Sequence, residues 1–211
     1  MNVLSASTAR PVSPRRSRLL LIGTSIAALG LVALGAGAVY VFSTQPTQIA
    51  VSDQAGTAQF NFRVTGIPVP GVVPGVQVRA DWNPADLAHA VATVNVNLEK
   101  LNTGIALRDT HAREFLGVAT HPEATFRLQS IQGVPSLKAG QQAEGVAKGV
   151  FSLNGVDQPL SAPTTLSFDA AGKKLNVTPY FNVAFSDYKI SIPGADPKTD
   201  VIVKFRLAAI R

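Results

Sequence analysis

Between Thr103 and Phe126 the chain reads TGIALRDTHAREFLGVATHPEATF, and seven side chains capable of chemistry crowd that stretch: Arg108, Asp109, His111, Arg113, Glu114, His121 and Glu123. Acid–base catalysis, metal binding and structural ion pairing all use these residue types. Covalent catalysis needs an activated hydroxyl or thiol beside an oriented base. The stretch has no serine, the chain has no Gly-x-Ser-x-Gly elbow, and cysteine is absent throughout. Asp109 and His111 are two apart, which on a helical turn sends them to different sides. A metal site would have to draw on His89, His111 and His121, the only histidines, with Asp109 or Glu123. Their spacing matches no compact zinc pattern, and His-Glu-x-x-His does not occur. The expectation is no catalytic residue, no metal and no cofactor. A structural use fits better. Asp109 is suited to accept backbone N–H groups at a helix start, Arg108 to bond carbonyls or a carboxylate, and His111 to stand as their polar neighbour. Phe115 and Leu116 would then plug whatever lies beneath.

The elements that must position this stretch read as strands. QFNFRV alternates Phe60, Phe62 and Val64 with polar residues, and VQVRADW sets Val76, Val78, Ala80 and Trp82 on one face. TVNVNLEK does the same with Val94, Val96 and Leu98. Later runs alternate through Phe126 and Leu128, through Ala147, Gly149, Phe151 and Leu153, and through Leu160, Ala162, Thr164, Leu166 and Phe168. Leu175, Val177, Phe181 and Val183 follow, and VIVKFRL closes with Val201, Val203, Phe205 and Leu207. A period of two predicts a sheet with one dry and one wet face. Turn formers separate the runs, with Asn154-Gly155 the clearest hairpin signal. About eight strands with short connections predict an all-β fold, an antiparallel barrel or sandwich. Two segments break the alternation. Asn83–Ala90 opens with Asn-Pro and reads as a short helical turn, and Arg108–Leu116 as a helical turn or ordered loop.

The N-terminal part is of another kind. Arg10, Arg15, Arg16 and Arg18 precede an uncharged run from Leu19 to Phe42, long enough to span a hydrocarbon core of roughly 30 Å as a helix. This predicts a basic cytoplasmic tail (1–18), one transmembrane anchor (19–42), a polar linker (43–48) and an extracytoplasmic β-domain (49–211). The competing reading is a cleaved signal ending near Ala36–Ala38, which would release the domain as a secreted or periplasmic protein. Without those four arginines, 15 basic residues face 13 acidic ones, so the net charge of +6 gives no support to nucleic-acid binding.

The order of motifs resembles the YceI-like family. Thr103, Gly104, Arg108, Asp109, His111, Arg113, Phe115, Leu116, Pro122, Thr125 and Phe126 follow that family's central pattern. Gly149, Leu153, Gly155, Val156, Pro159 and Leu160 follow its hairpin, and TDVIVKF its closing strand. The resemblance runs from about Ile49 to Leu207. Departures lie at the start, where VSDQAGTAQFNF lacks the family's His-Ser, and late, where Asn182 stands at the usual Arg position and Lys189 where Gly is common. The resemblance implies an extended, lipocalin-like, eight-stranded antiparallel barrel of the cell envelope that holds a long isoprenoid or similar amphiphile.

On that expectation the bore is lined by Phe60, Phe62, Val78, Trp82, Val94, Val96, Phe126, Leu128, Phe151, Leu166, Phe168, Phe181 and Phe205. Thr103, Gly104, Arg108, Asp109 and His111 form a structural motif across one end. The expected partner is a long-chain isoprenoid, quinone or fatty-chain lipid, with the membrane reached through the N-terminal helix and a homodimer left open. Ten buried CH₂ groups give roughly 8 kcal/mol against association costs of about 4–15, so only a long chain binds usefully. The rival readings are a filled barrel acting as an envelope interaction domain and, with only Thr164 as a polar inner residue, a lipid-modifying enzyme.

Overall fold

The computed structural model describes residues 48–51 and 56–208. The expected tail (1–18), the expected anchor (19–42) and all of the expected linker except Gln48 lie outside the described residues. Among the described residues no helix is long and apolar enough to cross a membrane.

Among the described residues nine strands form: β1 (Gln48–Val51), β2 (Gly56–Val64), β3 (Ile67–Asn83), β4 (Asp86–Asn97), β5 (Glu123–Gln132), β6 (Gln142–Leu153), β7 (Val156–Phe168), β8 (Lys174–Ala184) and β9 (Lys198–Ala208). One helix, α1 (Ala106–Phe115), and two 3-10 turns, Leu98–Lys100 and Phe185–Tyr188, interrupt them. All pairings are antiparallel. The order β3-β2-β9-β8-β7-β6-β5-β4, with β3 returning to β4, closes eight strands into a barrel. The short β1 is a ninth strand that alternation did not predict; it pairs with Arg79–Trp82 of β3.

β3 makes the closure. Its first part, Ile67–Val76, pairs with β2, and Gln77–Asn83 pairs with β4. Prolines at 68 and 70 mask this first part in the sequence, because Pro cannot donate to a ladder. They are tolerated because among the described strands only β2 pairs with Ile67–Gly71, leaving the other edge without a ladder to satisfy.

Turn chemistry sets the register. Asn154 and Gly155 both hold positive φ (49° and 71°), as a type I′ hairpin between β6 and β7 requires. Thr65 and Gly66 do the same between β2 and β3 (50° and 81°). Thr65 is β-branched, and its Cβ crowds the following carbonyl in this conformation at a cost of about 1–2 kcal/mol. Thr65→Asn is therefore expected to stabilise the barrel by about 1 kcal/mol, seen as a higher urea midpoint at unchanged slope.

The expected helical turn at Asn83–Ala90 is not one. Asn83 Oδ1 accepts from the Ala85 N–H (2.9 Å), so Asn-Pro makes a side-chain-closed reverse turn, and β4 begins at Asp86. Leu87, fully buried, then turns into the core. The second irregular segment does form a helix, α1.

The alternation places the apolar residues inside, as expected, and the core runs the length of the barrel. One end is packed solid. There Trp82 meets Phe168 edge-on (5.8 Å between ring centroids) beside the fully buried Leu166. The connection between β5 and β6 ties to the β3–β4 turn, with Leu87 N–H donating to Pro135 O and Leu137 N–H to Pro84 O (both 2.8 Å), and buries Val134 and Leu137.

Candidate functional site

The other end is roofed by α1, and the roof starts at Asn102. Its backbone exchanges both hydrogen bonds with Val72 of β3 (2.9 and 3.0 Å), and its Oδ1 accepts from Gly104 N–H (2.7 Å). Gly104, at φ 80°, turns the chain so that α1 folds back over the segment before it. Asp109, in the first turn of α1, holds the fold-back: its Oδ1 accepts from both the Thr103 N–H (2.7 Å) and the Thr103 hydroxyl (2.5 Å). Thus Asp109 accepts its backbone N–H from the loop just ahead of the helix. Arg113 donates to Leu101 O (3.2 Å) and, more weakly, to Glu99 O (3.4 Å), so Arg113 takes the role expected of Arg108. Arg108 is half-buried and contributes positive charge near Asp109. His111 is exposed.

The Thr103 hydroxyl and N–H, with the charges of Arg113 and Arg108, hold the Asp109 carboxyl below its ordinary value of 3.8 against the opposing effect of burial. A depressed carboxylate stabilises the fold above its unfolded pKa, and that contribution is lost as pH falls through the lower folded value. The Thr103 amide proton is accordingly expected to titrate with a midpoint below 3.8 in an NMR pH series, and Asp109→Asn is expected to abolish the step.

No residue of α1 is fully buried, but Ala112 and Leu116, four apart, face inward beneath the roof. Phe115, expected as a second plug, is 38% exposed on the outside. Below Ala112 and Leu116 lies a cavity of about 120 Å³. Phe60, Phe62, Val96, Leu98, Leu101, Leu153, Val183, Phe185 and Ile192 are among the residues that border it. Only Gln59 and Thr199 among its lining residues are polar. Thr199 is buried and makes a long bond (3.3 Å) to the Asp200 carbonyl. A second, wholly apolar cavity of about 40 Å³ follows, bordered by Val94, Phe126, Leu160, Ala162, Pro179 and Phe205. Two wider depressions, about 520 and 580 Å³, include polar residues such as Asn61 and Asp200 or Glu144 and Thr165 and are the more open to solvent.

Of the residues expected to line the bore, Phe60, Phe62, Val96, Phe151 and Phe181 border the larger cavity; Val94, Phe126 and Phe205 border the smaller. Val78, Trp82, Leu128, Leu166 and Phe168 border neither cavity; they belong to the packed core. Trp82 buries an indole N–H with no acceptor among the described residues, and Thr164 satisfies itself on Ala162 O (2.8 Å). Sequence reasoning set Leu98 on the dry face without assigning it to the bore, and missed Leu101, Ala112, Phe185 and Ile192. Phe185 continues the spacing of Phe181 and Val183 and was legible there; Leu101 and Ile192 lie in irregular chain with no period to follow.

The histidines serve separate places. His89 Nδ1 meets the Asp86 carboxylate (2.8 Å) at the surface, and the His121 ring packs over Gly155. Among the described residues no group of three His, Asp or Glu stands close enough to hold a metal.

Known structures share this architecture. A polyisoprenoid binding domain from Saccharophagus degradans, implicated in plant cell wall breakdown, superposes with a TM-score of 0.63 at 14% identity, over 78% of this chain and all of that one. BcnA of Burkholderia cenocepacia gives 0.62 at 17% identity, over 75% and 99%. The YCEI protein of Campylobacter jejuni gives 0.55 at 17%, over 68% and 86%. At these identities the likeness is one of fold. No curated protein matches the chain. The YceI-like domain profile, however, matches residues 43–209, which takes in every described strand and the roof helix. The chain belongs to the YceI-like family.

Proposed function

We propose that the barrel binds an amphiphilic lipid of the isoprenoid, quinone or fatty-chain class, its chain in the bore beneath α1, and that it does so outside the cytoplasm, tethered by residues 19–42. The observation that carries this reading is the cavity lining: around 120 Å³ of internal space, Gln59 and Thr199 are the only polar residues. Such a space favours apolar carbon and offers no charge to a reacting group. The solved relative described as a polyisoprenoid binding domain supports the same ligand class. Four arginines ahead of the uncharged run and no charge within it support the placement outside.

The volume also sets a condition. A cavity of about 150 Å³ admits a benzene-sized guest, so the larger chamber holds one short branched unit, and a longer chain enters only if ring side chains turn aside. The modest volume favours, as a second reading, a ligand-free interaction domain. Thermal unfolding of the full-length chain separates the two. Solanesol at about 100 times its Kd adds about 2.7 kcal/mol of stability, a rise in Tm of several degrees. No rise with solanesol, ubiquinone or oleamide would favour the interaction domain.

A further inference from the structure

The two cavities are not independent. They share five lining residues, Val96, Ala124, Phe151, Phe181 and Val203, so each stops where the other begins. The two large members of that set come from strands separated by β7, Phe151 on β6 and Phe181 on β8, and their rings meet edge-on at 5.5 Å (65°). Both are more than nine-tenths buried. Phe151 is braced from behind by Tyr188 of the second 3-10 turn (5.6 Å, 76°). Phe181 has no such ring behind it among the described aromatic pairs, so it is the freer of the two. Beyond the smaller cavity the packed end around Leu166 and Trp82 forms a floor.

Taking the bore as the lipid site proposed above, we propose that Phe151 and Phe181 form a gate across its middle that sets how long a hydrocarbon chain the barrel accepts. With the rings in contact, a chain fills the chamber under α1 and stops. With Phe181 turned aside, the two chambers join and the chain reaches the floor. The specificity is for apolar chain length: the gate carries no polar group and is blind to the head group, which stays toward α1.

The test is the length dependence of affinity for geraniol, farnesol, geranylgeraniol and solanesol, measured calorimetrically with the full-length chain and with Phe181→Ala. In the unmodified protein, affinity is expected to rise with length and then level off. Phe181→Ala is expected to move the plateau to a longer prenol and to raise affinity for that prenol at least about tenfold, with geraniol changed little. A merely structural role would weaken all four alike and leave the plateau where it was. Phe181→Leu, which keeps an apolar side chain without a ring, carries the same expectation if the alanine variant fails to fold. An unmoved plateau in a folded variant overturns the gate and leaves lipid binding standing. Failure of all four prenols to bind any of the proteins overturns the gate together with the reading beneath it.

Discussion

Gly149→Ala is expected to cost the barrel about 3 kcal/mol, among the largest losses available from adding a single methyl group. A Cβ built on Gly149 falls 2.1 Å from the Arg127 carbonyl oxygen and 2.9 Å from Phe126 Cζ. The ring can swing away; the carbonyl belongs to the β5 backbone and cannot. Gly149 faces Leu128 where the β5–β6 register shifts between Leu128 and Ser130, so the two backbones approach closely at an irregularity of the wall. The loss would appear as a lower urea midpoint. Gly71→Ala is the informative contrast, because the three atoms nearest its Cβ all belong to the end of the Phe60 ring (Cζ at 2.1 Å), a side chain that can move where a backbone carbonyl cannot. A Gly149→Ala midpoint equal to wild type would mean that the β5–β6 wall yields where its backbone is closest.

Ala124→Phe is expected to do the opposite: spare the fold and remove the function. Ala124 sits on β5 opposite Val96, is 5% exposed, and borders both chambers. A benzyl group there would occupy the space that a ligand's first carbons need, since a cavity of this order is filled by one benzene-sized group. Overpacking costs about 1–3 kcal/mol, offset by the void it fills. Prenol affinity should fall by at least about tenfold, since losing only two buried methylenes costs about 1.6 kcal/mol. Calorimetry with solanesol, beside far-UV circular dichroism, checks both halves of the expectation. Undiminished solanesol affinity in the folded variant would place the ligand outside the bore.

How much of this was legible in the sequence follows from the period of two. Alternation placed Phe60, Phe62, Val94, Val96, Phe151 and Phe181 on the inner face, because a half-buried strand leaves no other arrangement. It could not say which inner residues border empty space. That depends on what packs from elsewhere: the Val134–Leu137 connection, which has no period, helps to fill the end where Trp82 and Phe168 lie, while Ala112 and Leu116 only roof the other. Periodicity also failed at Ile67–Gly75, where Pro68 and Pro70 occupy an edge without a ladder. In the loaded stretch the residue types were legible and their partners were not. Once Gly104 reverses the chain and α1 starts at Ala106, Arg113 is the arginine that reaches the Leu101 carbonyl, and Asp109 reaches back to Thr103.

The central claim, that the bore takes a lipid chain, is tested most directly by native mass spectrometry. The full-length chain would be expressed with its own N-terminal segment and extracted gently, and the organic extract of the denatured sample analysed. The account predicts one long-chain prenyl or acyl lipid per barrel in the wild-type protein and none in Ala124→Phe. A wild-type mass equal to the bare polypeptide, unchanged after incubation with solanesol, ubiquinone and oleamide, would contradict it.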